Sequence, residues 1–131
     1  MTDRQTIDLA ITGAHILTID SAMTEYTKGS IYLSGGRIFW IGADGEQPKD
    51  CVIKDTIDAR GKIVMPTFFN AHNHAAMSIF RGLGNDLSLE KWLNDFIWPA
   101  EKERINPESV FMGTMLSAME MVRSGSGIFS D

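Results

Sequence analysis

The first half of the chain alternates apolar and polar positions in short runs that predict β-strands. Residues 7–19 do so with one break, at a Gly-Ala pair, and residues 51–66 predict two more short strands that Pro66 ends. Between them, two β-rich runs flank Gly35 and Gly36, and glycine accepts the positive φ angles that a two-residue hairpin turn requires. We therefore expect the first half of the chain to be β-structure.

Helical spacing replaces this alternation after one more predicted strand, residues 67–74. Apolar residues recur from Leu89 at i, i+3, i+4, i+7 and i+8, which predicts an amphipathic helix that begins after Ser88 and that Pro99 closes or kinks. A second helix is predicted to begin after Asn106, because a proline follows at the first helical position, where its missing N–H costs nothing.

The second predicted helix leads into a further predicted strand. Its apolar stripe comprises Phe111, Met115, Met119 and Val122. Gly125 or Gly127 can end the helix, and the β-rich sequence "GIFSD" follows. The order strand, helix, helix, strand is the opening of a βαβ unit, so we predict an α/β fold in which β-structure precedes a parallel sheet. Since a full (β/α)8 barrel needs roughly 250 residues, we expect this chain to be part of a longer protein.

The composition narrows the range of partners. The chain is 44% hydrophobic and 22% charged, with a net charge of −5 and no Lys/Arg cluster, which argues against a nucleic-acid or anionic-membrane partner. No secretory signal or membrane-spanning run is visible, and the single cysteine permits no intrachain disulfide, so we expect a cytoplasmic protein. We interpret Cys51 as a small buried or edge residue, because nothing nearby would activate a catalytic thiol.

Two of the three histidines, His72 and His74, stand one residue apart in "FFNAHNHAAM". In a strand, residues i and i+2 point to the same face, so both imidazoles could converge on one ion with Zn–N bonds of about 2.1 Å. A helical site would need the i, i+4 spacing instead. Two polar residues near a surface are the alternative interpretation of this pair. The third histidine, His15, is interpreted as a surface or core-edge residue.

Residues 61–83, "GKIVMPTFFNAHNHAAMSIFRGL", resemble the signature of the amidohydrolase superfamily, in which a β-sandwich segment runs into a first barrel strand that ends in His-x-His. Residues 70–101, with "GTMLSAMEMVRSG" after them, are similar to the 5'-methylthioadenosine/S-adenosylhomocysteine deaminases. That family usually has Pro-Gly before the strand. This chain has Pro66 and Thr67, which leaves the turn geometry open without affecting the histidines.

The resemblance implies two structural parts and a metal. Residues 1–66 would form the N-terminal part of a composite β-sandwich domain, and residues 67–131 the first β-α-β portion of a (β/α)8 TIM barrel. His72 and His74 would be ligands of a divalent metal, zinc or iron, and Glu101 would accept hydrogen bonds from ribose hydroxyls. The family's other ligands and its glutamate proton carrier follow later strands. No catalytic residue is therefore expected within this chain, and the chain alone is expected to be inactive.

The activity implied by the resemblance is hydrolytic deamination of a small adenosine-type substrate to its inosine form plus ammonia. The metal would supply hydroxide near neutral pH, and an acid/base residue would pass a proton to the leaving ammonia. The alternatives are a chlorohydrolase or guanine deaminase of the same superfamily, or a non-catalytic product of a truncated or split gene. Uncovered strand edges and helix faces also predict a homo-oligomer.

Three further residues in the second half are weaker candidates. Trp92 and Trp98 could stack on a purine, but their spacing also suits a helix that faces a core, and we favour the core. Asp131 could be a functional acid at the end of a strand, and no role is assigned to it from the sequence.

Overall fold

The computed structural model describes residues 4–131 and divides the chain into two compact units, with the division between Pro66 and Thr67. The strands of the first unit are β1 (Gln5–Ile7), β2 (Leu9–Leu17), β3 (Glu25–Ser34), β4 (Arg37–Ala43), β5 (Cys51–Ile53), β6 (Thr56–Asp58) and β7 (Ile63–Val64). The first unit is therefore β-structure, as its alternating pattern predicts.

Strand β2 lies at the centre of the main sheet of the first unit. It pairs antiparallel with β3 and parallel with β6 and β7, while β4 pairs antiparallel with β3. The predicted break at Gly13 is wrong, because β2 continues through it with shifts of register between Ile11 and Ile16. Gly13 has a φ of +73°, a conformation that lets the strand bulge and then resume pairing.

Residues 51–66 form three strands, β5, β6 and β7, rather than the predicted two. β5 pairs in parallel with β1, and β6 pairs in parallel with β2. Between them the amide of Lys54 donates to the carbonyl of Ile7, and the carbonyl of Asp55 accepts from the amide of Ala10, each at 2.9 Å. The extra break arises because the chain changes its pairing partner at this point.

The predicted hairpin at Gly35 and Gly36 is confirmed. Ser34 pairs with Arg37, so the two glycines form the whole turn, with φ angles of +58° and +72°. Two positive φ angles in a row define the turn whose twist matches antiparallel strands. Local chemistry is thus sufficient to specify this connection.

The core of the first unit consists of two apolar clusters. The buried members of the clusters are Ala14, Ile16, Ile31 and Ala59 in one, and Ile7, Ala10 and Tyr32 in the other. Cys51 packs half-buried against the second cluster, which agrees with its interpretation as an edge residue. Trp40 also packs there, with its ring edge-on to Tyr32 at 5.5 Å between centroids.

The second unit mixes strands and helices. Its elements are β8 (Phe68–Asn70), a 3-10 helix (Ala75–Phe80), α1 (Leu89–Trp92), a π-helical segment (Leu93–Ile97), α2 (Trp98–Arg104), α3 (Pro107–Arg123) and β9 (Ser126–Phe129). β8 and β9 pair in parallel, and all the helices lie in the connection between them. None of the helices within residues 4–131 combines the length and apolar character that a membrane crossing requires.

Thr67 joins β8 to β9 through its side chain. Its hydroxyl donates to the carbonyl of Gly125 at 2.7 Å and accepts from the amide of Gly127 at 2.6 Å. The side chain therefore substitutes for a rung of the parallel ladder at the start of the strands. A glycine at this position could make neither hydrogen bond.

Pro99 does not end the first helix. The helix continues to Arg104, and the π-helical turn immediately before Trp98 is the local adjustment. Proline lacks an N–H and collides with the carbonyl four residues earlier, and a wider turn relieves both problems. Ser88 occupies the N-cap position in an extended conformation but makes no side-chain cap hydrogen bond, and Ile97 is the residue that this helix buries.

The capping box at the start of α3 confirms its predicted beginning. Asn106 accepts from the amide of Ser109 at 3.0 Å, and the Ser109 hydroxyl accepts from the amide of Asn106 at 2.9 Å.

α3 packs on the 3-10 helix through its small residues, with Gly113 buried at the contact. The predicted apolar stripe is exposed within residues 4–131, in agreement with the expectation of uncovered helix faces. Gly125, with a φ of +89°, follows the helix and ends it.

Candidate metal centre

His72 and His74 lie just beyond the carboxyl end of β8. The predicted strand over residues 67–74 is wrong in its second half, because β8 ends at Asn70. There the side-chain oxygen of Asn70 accepts from the amide of His72 at 3.3 Å, a local turn that competes with strand pairing. The two histidines therefore lie in an irregular segment that leads into the 3-10 helix.

The two imidazole rings are close together although their backbone is not a strand. Their centroids are 5.5 Å apart and their planes are nearly perpendicular, at 88°. Two imidazoles bound to one tetrahedral zinc ion at about 2.1 Å would place their ring centres about 5 Å apart. Both side chains are exposed. The donor chemistry and the ring separation therefore fit two ligands of one zinc ion.

The backbone that follows the histidines is held from two sides. The amide of Ala75 donates to Oδ1 of Asp131 at 2.9 Å, and the carbonyl of Ala75 accepts from the hydroxyl of Ser117 at 2.8 Å. Ala75 itself is fully buried. Because β8 and β9 pair in parallel, their carboxyl ends lie at the same edge. Asp131, which follows β9, is therefore close to the segment that follows β8. Its place at the end of a predicted strand makes Asp131 a candidate from the sequence, but the contact with Ala75 has no signal there.

The histidine pair is the whole ligand set that this part of the chain brings together. Within residues 4–131, no group of three or more His, Cys, Asp or Glu side chains is close enough to hold a metal ion. A catalytic zinc site has three protein ligands and one open position. His15 lies in the first unit, where Nε2 is 2.5 Å from Oε1 of Glu25, in agreement with its interpretation as a core-edge residue.

A cleft of about 440 Å³ opens beside His74. Phe80 and Trp92 supply apolar wall, and Arg81 and Asn85 supply polar groups. The indole N–H of Trp92 donates to the carbonyl of Leu83 at 2.8 Å, which fixes the orientation of this ring. The cleft can therefore offer a small molecule both apolar contact and hydrogen bonds next to the candidate ligand.

Glu101 lies on α2 and is half-buried. Among the residues described, it does not line the cleft beside His74, and Trp98 on the same helix is 54% exposed. The structure thus brings together His72 and His74 but does not join Glu101 to them. The role of Glu101 in substrate binding stays a prediction.

Comparison with known proteins identifies relatives of the chain. Residues 63–131 match the amidohydrolase family. A 5'-deoxyadenosine deaminase from Methanosarcina mazei is 41% identical over 124 residues, and a 5-methylthioadenosine/S-adenosylhomocysteine deaminase from Pelotomaculum thermopropionicum is 40% identical over 124 residues. Each alignment covers 95% of this chain and 28% of the relative. The chain therefore spans less than a third of the length of these proteins.

A solved structure agrees with the sequence relatives. The crystal structure of an adenosine deaminase from Xanthomonas campestris with bound zinc superposes with a TM-score of 0.91 at 29% identity. The superposition covers 98% of this chain and 29% of that one. The mixed sheet-and-helix architecture of the chain is therefore similar to that of a zinc-containing deaminase.

Proposed function

Because the chain belongs to the amidohydrolase family, we propose that it is the N-terminal part of a metal-dependent enzyme that deaminates an adenosine-type nucleoside. The observation that carries this proposal is the proximity of His72 and His74, with ring centroids 5.5 Å apart beyond the end of β8. Identities of 41% and 40% to deaminases of 5'-deoxyadenosine and of 5-methylthioadenosine/S-adenosylhomocysteine support the substrate class.

The fold suits this proposal. The parallel pair β8 and β9, connected through helices, has the form of the first βαβ unit of a (β/α)8 barrel. We propose that the second unit is this opening of the barrel and that the first unit is part of a β-sandwich domain. Active sites in such barrels lie at the carboxyl ends of the strands, and the histidine pair follows the carboxyl end of β8.

In this proposal His72 and His74 would hold a divalent metal, with zinc supported by the zinc-bound deaminase structure. Bound zinc supplies a nucleophile from water near neutral pH. Each imidazole would present one ring nitrogen to the ion, because the lone pair of that nitrogen forms the bond to the metal. The remaining ligands and the acid/base residue would come from sequence outside this chain.

The cleft beside His74 is the proposed entrance for the substrate. Its apolar wall, which includes Trp92, would contact the purine ring, and its polar groups would accept the sugar. Glu101 is proposed to accept hydrogen bonds from the ribose hydroxyls, a role to which a carboxylate with two oxygens is suited.

We also propose that the protein is a homo-oligomer. The apolar stripe of α3 includes Val122, which is 69% exposed, and Phe111, which is 62% exposed, within residues 4–131. Exposed apolar surface of this kind is usually buried in a contact, either with the rest of a longer chain or with a second copy of the protein. Light scattering of the full-length protein would test the second possibility, and a monomeric mass would contradict it.

The direct test uses the full-length protein and variants of the three histidines that lie within residues 1–131. Metal content would be measured together with ammonia release from 5'-methylthioadenosine, S-adenosylhomocysteine and 5'-deoxyadenosine. We expect stoichiometric zinc and turnover in the wild type, and loss of both in His72→Asn and His74→Asn. His15→Asn is the matched control, because His15 pairs with Glu25 in the first unit, and it should retain both.

Two results would contradict the proposal. Wild-type metal content in His72→Asn and His74→Asn, as in the His15→Asn control, would show that the pair does not bind the metal. Turnover confined to guanine or to a chlorinated triazine would retain the metal site but replace the adenosine-type substrate with that of another amidohydrolase.

A further inference from the structure

The segment that carries the histidine pair has little regular structure to fix it. Between the end of β8 at Asn70 and the start of the 3-10 helix at Ala75, the backbone belongs to no strand or helix. Two imidazoles can share one ion only if this backbone holds them at the required separation. The contacts at the ends of the segment are therefore the ones that matter for the pair.

Ala75, the residue directly after His74, has both of its backbone polar groups bound by side chains that are distant in sequence. Its amide donates to Oδ1 of Asp131 at 2.9 Å, and its carbonyl accepts from the hydroxyl of Ser117 at 2.8 Å. Ala75 is fully buried, so its two backbone groups depend on these side chains for their hydrogen bonds, and the acceptor Asp131 is itself exposed. Together they link the pair to the end of β9 and to α3.

We infer that Asp131 is a positioning residue for the histidine pair, acting through the amide of Ala75. The inference rests on the proposed function, since it gives the pair a metal to hold. Loss of the acceptor would free the peptide between His74 and Ala75 to rotate, and the His74 ring would move with it. Mutation of a residue that orients a metal ligand in this way typically weakens metal binding by about 10–100-fold.

This role requires an oxygen acceptor and not a negative charge. Asparagine has a side-chain oxygen of the same reach, so Asp131→Asn can keep the hydrogen bond, whereas Asp131→Ala cannot. If Asp131 were instead a metal ligand or an acid/base residue, both Asp131→Asn and Asp131→Ala would lose metal binding or activity. The comparison of these variants thus separates positioning from direct participation.

The first measurement is hydrogen exchange in the metal-free full-length protein, followed by mass spectrometry of peptides that contain Ala75. We expect faster exchange at the Ala75 amide in Asp131→Ala and near-wild-type protection in Asp131→Asn. Asp50→Ala, which removes an exposed aspartate of the first unit, is the control and should leave these peptides unchanged. Unchanged protection in Asp131→Ala would overturn the inference.

The second measurement is titration with Co²⁺, whose visible absorption reports both affinity and coordination geometry. Asp131→Ala should bind about 10–100-fold more weakly with a changed spectrum, and Asp131→Asn should bind within about threefold of wild type with the same spectrum. Equal affinity in Asp131→Ala, or equal weakening in both variants, would overturn the inference. If Asp131→Ala does not fold, Asp131→Asn decides alone, because its loss of binding contradicts positioning.

The two measurements separate this inference from the proposed function. A wild-type protein that binds neither Co²⁺ nor Zn²⁺ refutes the proposed metal site, while hydrogen exchange still shows whether Asp131 holds the backbone. A wild type that binds metal and an Asp131→Ala variant that binds it equally well refute the positioning role and leave the metal site intact.

Discussion

Replacing Gly113 with alanine adds one methyl group where α3 packs on the 3-10 helix. An added Cβ would lie 2.4 Å from the carbonyl oxygen of Ala76 and 3.1 Å from its carbonyl carbon. Ordinary non-bonded contacts are about 3.5 Å, so the two backbones would have to separate by about 1 Å. The obstacle is backbone rather than the end of a flexible side chain. It therefore cannot move aside without moving the segment next to the histidine pair.

Two opposing effects set the size of the change in stability. Overpacking at a close contact costs about 1–3 kcal/mol. Alanine in a helix interior returns about 1 kcal/mol relative to glycine. The separation would also strain the hydrogen bond of 2.7 Å from the Ser78 hydroxyl to the carbonyl of Gly113. The first two effects leave a net loss of about 0–2 kcal/mol, and the strained hydrogen bond raises the expected loss in the free energy of unfolding to about 1–2 kcal/mol.

Thermal unfolding of the metal-free full-length protein measures this loss. In a protein more than three times the length of this chain, a change of 1 kcal/mol shifts the Tm by about 1 °C, so Gly113→Ala should unfold about 1–2 °C lower. Lys102→Ala, at an exposed position on α2, is the control and should stay within about 0.5 kcal/mol of wild type. A gain in Tm would show that helix propensity alone determines the effect of Gly113→Ala on stability. It would also mean that α3 does not approach the 3-10 helix as closely as described.

Three other predictions concern single contacts. Thr67→Val removes the hydroxyl that joins β8 to β9 and should cost about 1–3 kcal/mol in chemical denaturation, so a neutral result would contradict the bridge. Asn106→Ala breaks the capping box of α3 and should cost about 1 kcal/mol by the same method, and an unchanged midpoint would count against the cap. Hydrogen bonds from Arg60 lower the pKa of Asp58 to about 2, and an NMR titration should show this value rise toward 3.8 in Arg60→Ala. Because the folded pKa is depressed, the stabilisation is present above pH 3.8 and is lost as the pH falls toward about 2, and equal titration of the two proteins would refute the ion pair.

The features that the sequence predicts correctly depend on neighbouring residues. The hairpin at Gly35 and Gly36 needs only two positive φ angles, and the start of α3 needs only Asn106 and a residue three positions later. The strand boundaries depend on partners that periodicity does not reveal. β2 continues through Gly13 because the neighbouring strands keep pairing beyond its bulge, so the glycine does not end the strand.

The same difference applies to the candidate metal centre. The spacing of His72 and His74 is sufficient to propose a shared ion, but the alternation argument assumed a strand that in fact ends at Asn70. What holds the pair is a contact between Ala75 and Asp131, residues brought together only when β8 and β9 pair. Long-range contacts of this kind leave no periodic signal in the sequence.

Anomalous X-ray diffraction at the zinc edge would show whether His72 and His74 bind one metal ion, as proposed. In crystals of the full-length protein grown with zinc, we expect one anomalous peak about 2.1 Å from a ring nitrogen of each histidine. A peak that contacts only one of the two rings, or zinc bound elsewhere with both rings free, would contradict a shared metal site at this pair.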